Sequence, residues 1–135
     1  MNKETIDQEI KIAYEVLSKT GIAVDGKIKK TFRGQISTFG AAVSMGSLLS
    51  AIAFFSKDAK QDTKQEEKED IARSKLMIAI FEILKQRNLI PDKCKTLFDY
   101  VKEGEEDACK EEILNAAIAL KLSMNLYTLV KEKED

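Results

Sequence analysis

Residues 39–57, FGAAVSMGSLLSAIAFFSK, are the stretch that most constrains what this chain can fold into. The run has no acidic side chain, and its one charge is the closing Lys57. A run of this length could cross a bilayer as a helix. Its composition argues against that: Gly40, Ser44, Gly46, Ser47 and Ser50 dilute the apolar residues, and Gly46-Ser47 is where a helix is expected to break. The stretch therefore reads as two short buried helical pieces meeting at a small-residue joint, with other helices packed around them. With 135 residues, 44% of them hydrophobic, the chain can build that surround as one domain over 1–135, with no room for a second.

The rest of the composition agrees. One proline, six glycines and little apolar/polar alternation point to an all-α protein, a compact bundle of about six helices. Positive and negative side chains nearly cancel, to a net charge of −1, so global charge selects no partner. The first fifteen residues are charged and amphipathic, unlike a signal peptide, and a cytoplasmic location is the expectation. Histidine is absent, which removes the commonest general base and the usual triad partner. Cys94 and Cys109, on separate expected helices, are too few and too far apart for a zinc site and read as small buried core residues. Neither catalysis, nor a metal, nor a cofactor is expected.

Taken in order, residues 2–19 form a first helix, with Ile6, Ile10, Ala13, Tyr14 and Leu17 on one face and Glu4, Asp7, Glu9, Lys11 and Glu15 mostly on the other. Gly21 stops it, and Asp25-Gly26 makes a turn that can also cap the next helix. That second helix is expected from about residue 27 toward 45, burying Ile28, Phe32, Gln35/Ile36, Phe39 and Val43. The polar run 58–69 opens as a loop, and Asp62 or Thr63 with Gln65 or Glu66 suits a capping box. Residues from about 66 to 87 form a helix apolar nearly all round, hence central, ended by Asn88 and Pro91. Asp92 is the expected cap of a short helix packing through Cys94, Leu97, Phe98 and Val101 and stopping near Gly104. Glu105, Glu106 and Asp107 then open a last helix, to about residue 131, where acidic residues suit the helix dipole. That helix carries two apolar stripes, one through Cys109, Ile113, Ala117, Leu120, Met124 and Tyr127. The other runs through Leu114, Ile118, Leu122, Leu126 and Leu129, as core or as a surface for another protein.

Charge is unevenly spread along the chain. Between residues 26 and 57 there are five basic side chains, Lys27, Lys29, Lys30, Arg33 and Lys57, and no acidic one. Residues 1–57 sum to +3 and residues 58–135 to −4. A nearly neutral protein built this way can still present one positive face. The same residues also suit an ordinary solvated helix back.

Three blocks carry a family resemblance. They are Ile36-Ser37-Thr38-Phe39-Gly40-Ala41-Ala42-Val43 with Leu48-Leu49-Ser50-Ala51-Ile52-Ala53-Phe54-Phe55-Ser56-Lys57, then Arg73-Ser74-Lys75-Leu76, then the run from Ala116 to Tyr127, AAIALKLSMNLY. In this order and spacing the chain resembles the small subunit of the type III-B CRISPR effector, the Cmr complex, in its bacterial form. At the joint the family reads Gly-Leu-Leu-Pro where this chain has Ser47-Leu48-Leu49-Ser50, so the two helices there are either separate or continuous with a kink.

The resemblance implies a non-enzymatic helical building block. Its partners would be the other subunits of the effector complex, neighbouring copies of itself, and guide and target RNA within the complex. The chain alone would be a monomer, with no membrane association. On this reading Lys27, Lys29, Lys30, Arg33 and Lys57 form an RNA-facing surface that neutralises phosphates, while base pairing supplies specificity. Acidic residues such as Glu103, Glu105 and Glu106 would face the basic half of the next copy. Two rival classes are a helical adaptor docking a protein through the Leu114–Leu129 stripe, and a small helical DNA-binding regulator. For the latter, the piece after Gly46 is too apolar to enter a major groove.

Overall fold

The computed structural model describes residues 2–57 and 64–131, with the backbone alone at 64–67. Six helices and a small sheet come in the order α1 (Lys3–Lys19), β1 (Ala23–Val24), β2 (Lys27–Lys29), α2 (Lys30–Met45), α3 (Leu48–Phe55), α4 (Lys64–Gln86), α5 (Leu97–Glu103), α6 (Glu106–Met124) and β3 (Thr128–Val130). The protein is an all-α bundle, as composition and periodicity led us to expect. α4 packs against each of the other helices, and α1 lies along α6. Closely set small residues on α6, among them Ala116, Ala117, Ala119 and Ser123, are buried, and the Ser123 hydroxyl donates to the Ile10 carbonyl of α1 at 3.0 Å.

The joint in the 39–57 stretch is a true break. α2 ends at Met45, and α3 starts after Ser47, whose side chain accepts from the Ser50 N–H. Phe39, Val43, Leu48, Ala51, Ile52 and Phe55 are all buried, making the stretch the seam between α2, α3 and their neighbours. A Cβ placed on Gly46 would lie 2.9 Å from the Ala42 carbonyl oxygen, which also accepts the hydrogen bond closing α2. Gly46→Ala should therefore cost about 1–3 kcal/mol, because the atom in the way is backbone and the joint must shift. A urea midpoint that falls with an unchanged m value checks this.

Elsewhere the elements depart from expectation in four places. Residues 27–29 are a strand, not the first turn of α2. Asp25 and Gly26 both have left-handed backbone, φ 54° and 76°, which makes a two-residue hairpin turn of the kind Asp-Gly favours. β1 and β2 pair antiparallel across it. The last helix stops at Met124, not near residue 131: three successive N–H groups, of Asn125, Leu126 and Tyr127, donate to carbonyls three residues back. The chain then straightens into β3, pairing parallel to β2 with Lys27 opposite Thr128, Ile28 opposite Leu129 and Lys29 opposite Val130. A two-stranded hairpin alone is marginal, and the β-branched Thr128 and Val130 suit a third strand.

The cap of α5 is Thr96, not Asp92. Thr96 and Asp99 form a reciprocal capping box, while residues after Pro91 turn back on themselves through Cys94 N–H to Pro91 carbonyl at 2.9 Å. Glu9, expected on the polar face of α1, is completely buried. The capping box expected at Asp62 or Thr63 lies outside the described residues.

α4 ends as foreseen at Asn88, in left-handed backbone with φ 61°. The Leu89 N–H reaches the Leu84 carbonyl and the Asn88 N–H the Lys85 carbonyl, a Schellman arrangement. Cys94 and Cys109 are buried and unbridged, and burial pushes the Cys109 thiol above its usual pKa. The leucine stripe of the last helix divides: Leu114, Ile118 and Leu129 are half-buried, whereas Leu122 and Leu126 stand 43% and 62% exposed.

Candidate nucleic-acid interface

Alternation along β2 decides where its lysines go. Ile28 points into the core and is fully buried, so Lys27 and Lys29 emerge on the other face. The parallel register sets Thr128 and Val130 beside them, with Lys131 just beyond. Opposite stands α4. Its residues Lys68, Ile71, Ala72 and Lys75 recur at steps of three and four, and so share one face. Between sheet and helix lies a groove of about 590 Å³ lined by these groups, with Ile22, Val24 and Phe32 among the apolar residues of its wall. The Lys75 ammonium lies against Gly21, where a Cβ would come within 3.4 Å of it. Gly21, with φ 78°, thus both turns the chain out of α1 and leaves room for that side chain.

Among the described residues the lining carries five lysines, Lys27, Lys29, Lys68, Lys75 and Lys131, against one acid, Asp25. Lys27, Lys68, Lys75 and Lys131 form no salt bridge with a described residue. Such a concave site concentrates positive potential, since low-dielectric walls focus the field. It can hold anions. Among the described residues no group of histidine, cysteine or carboxylate side chains gathers as a metal ion would need.

Of the five residues singled out from the sequence, the groove contains Lys27 and Lys29. Lys30 is exposed at the start of α2 and does not line it. Arg33 turns toward α6, its Nε donating to Asn125 Oδ1 at 3.2 Å. Lys57 is exposed beyond α3, where its carbonyl accepts from the Ser74 hydroxyl at 3.1 Å. The sequence reading missed Lys68, Lys75 and Lys131, which belong to the net-acidic half of the chain. A seven-residue interval between Lys68 and Lys75 was the available signal, because it puts both on one helix face.

No helix among the described residues is long and apolar enough to cross a membrane. Compared with protein-family models, with curated proteins and with solved structures, the chain matches none.

Proposed function

We propose that this chain is a non-catalytic small subunit of a type III-B CRISPR ribonucleoprotein effector, acting in antiviral defence. On this reading it stacks along the backbone subunits beside further copies of itself and helps hold guide and target RNA through a basic face. The observation that carries the RNA-holding role is the lysine-lined groove: lysines from both halves of the chain converge in it, and one acid faces them. The three resembling blocks also support the reading, because they fall on α2–α3, α4 and α6, which pack on one another. Lysine ammonium groups set along a groove neutralise phosphates without reading bases, as suits a complex whose specificity comes from pairing.

Coexpression with the other effector subunits and a CRISPR RNA tests this. The chain should copurify with the ribonucleoprotein, and should sediment as a monomer when alone. Replacing Lys27 and Lys29, the two residues of that cluster that line the groove, with Glu should weaken retention of target RNA and flatten its salt dependence. Failure to copurify would sink the effector reading, and retention unchanged at every salt concentration would sink the RNA contact.

One observation favours a second reading, a helical adaptor. Leu122, in the last turn of α6, and Leu126, just past its end, are both exposed. If they dock a protein, Leu122→Glu with Leu126→Glu should abolish that association while leaving RNA retention unchanged.

A further inference from the structure

We propose that the groove between the sheet and α4 holds an unpaired nucleic-acid strand by its phosphates, rather than a duplex. The inference rests on the RNA-holding part of the reading above and narrows it to a stretch of guide or target strand that lies outside the paired region.

Three observations lead there. First, the cations stand in two facing rows. Lys27 and Lys29 leave the same face of β2, about 6.6 Å apart along the strand, and Lys131 lies just past the end of the adjacent strand. Lys68 and Lys75 line the other wall, about 10.5 Å apart along the helix. A strand laid between the rows meets an ammonium group from either side, whereas a duplex presents its phosphates on a convex cylinder that reaches only the rim.

Second, the size fits. A groove of about 590 Å³ is in the range of small-ligand sites, enough for a short piece of strand and far too small for a double helix. Its walls include Ile22, Val24, Ile71 and Val130. Aliphatic groups there can cover the face of an unpaired base, and unpaired bases are what single strands expose. The aromatic residue in the lining, Phe32, is buried, so little preference among bases is expected.

Third, all five cations are lysines. Arginine is favoured where planar, two-pronged recognition of a carboxylate or phosphate fixes one geometry, whereas lysine acts as a point charge. Five point charges along a groove suit a repeating anionic backbone held without fixed geometry, and competition with polyglutamate separates phosphodiester from carboxylate.

Fluorescence anisotropy of the full chain with a short labelled oligouridine tests the proposal. The logarithm of affinity should fall against the logarithm of salt concentration with a slope of about −3.5, from roughly 0.7 for each of the five lysine–phosphate contacts to a single strand. The double substitution K68Q/K75Q should reduce that slope by about 1.4, while K30Q/R33Q leaves it unchanged. Oligothymidine should bind as well as oligouridine, since the lysines meet phosphates and not the 2′-hydroxyl. An unchanged slope in K68Q/K75Q, tighter binding of a duplex of equal length, or displacement of the strand by polyglutamate of equal charge would each overturn the proposal.

The effector reading fails separately. A chain that binds oligouridine through Lys68 and Lys75 yet never copurifies with the other subunits refutes the effector and keeps the groove. Normal copurification with an unaltered slope in K68Q/K75Q does the reverse.

Discussion

Arg87→Met should destabilise the protein by about 3–5 kcal/mol at neutral pH, the cost of leaving a buried charge without its partner. Arg87 sits at the C-cap of α4, held there by the left-handed Asn88 next to it. One guanidinium nitrogen, Nη1, donates to Glu9 Oε2 of α1 at 3.0 Å and to Glu112 Oε2 of α6 at 3.1 Å. Three helices thus meet at one cation. Glu9 is 0% exposed, and its Oε1 has no hydrogen-bond partner among the described residues. Burial raises the Glu9 pKa above 4.5, and the hydrogen bond and charge of Arg87 work against that rise. Without Arg87 only the upward influences remain.

A carboxyl whose folded pKa is raised holds its proton more tightly folded than unfolded, and this sets the sign of the pH dependence. Its ionisation costs stability in full above the raised folded value, and that cost disappears as the pH falls toward 4.5. In Arg87→Met the penalty is larger and reaches to higher pH, so the deficit against the parent should shrink on acidification. Glu9→Gln should flatten the parent's own dependence over the same window. Urea unfolding at several pH values reads both. A deficit below about 1 kcal/mol, the size of an exposed pair, or one that does not change with pH, would show that Glu9 is not held as a buried ion.

How legible each feature was depended on how far along the chain its cause lay. The buried face of α2 could be read at helical spacing because Phe32, Ile36, Phe39 and Val43 all meet neighbours through one continuous helix. The joint at Gly46-Ser47 could be read because a break needs just those two residues. Ile28 shows how the same logic misled. It stands four before Phe32 and is buried, so it extends the helical pattern by one step while sitting in a strand. Strands of two and three residues are too short for alternation to outvote that spacing, and the parallel partner of β2 lies about a hundred positions away. Leu126 and Leu129 likewise continue the spacing of α6 past its real end.

The site was half legible for the same reason. A run without acids drew attention to Lys27 and Lys29, yet Lys30 and Arg33, its next members, leave the strand's outward face once α2 begins. Summed over the second half of the chain, Lys68, Lys75 and Lys131 vanish beneath a surplus of carboxylates. In the fold several of those carboxylates are directed elsewhere: Glu103 to Lys93, Glu82 to Lys19, Asp70 to Arg73, Glu112 to Arg87. Glu9 was misplaced because its partner is 78 residues away, a distance at which no local pattern speaks.

Phe39→Ala is the second large effect, with an expected loss of about 3–5 kcal/mol. Phe39 is 0% exposed, and its ring meets that of Phe55 edge to face, the centroids 5.1 Å apart. It is therefore the side chain through which α2 and α3 lock after the break at Gly46. Truncation removes the transfer energy of a whole ring and opens a cavity among side chains that cannot all collapse into it. Phe39→Leu keeps most of the volume and should cost under about 1.5 kcal/mol. A double-mutant cycle with Phe55 should return a coupling of about 0.5–1.5 kcal/mol from the ring pair. The same substitution separates core from site. Phe39 lies seven residues along α2 from Phe32 at the groove, about 10.5 Å of helix. Phe39→Leu should therefore leave the oligouridine salt slope of the parent intact while lowering the urea midpoint. If the slope changed with the midpoint, the seam and the lysine groove would be one cooperative unit, and the joint at Gly46 would be tuning how the chain meets a strand.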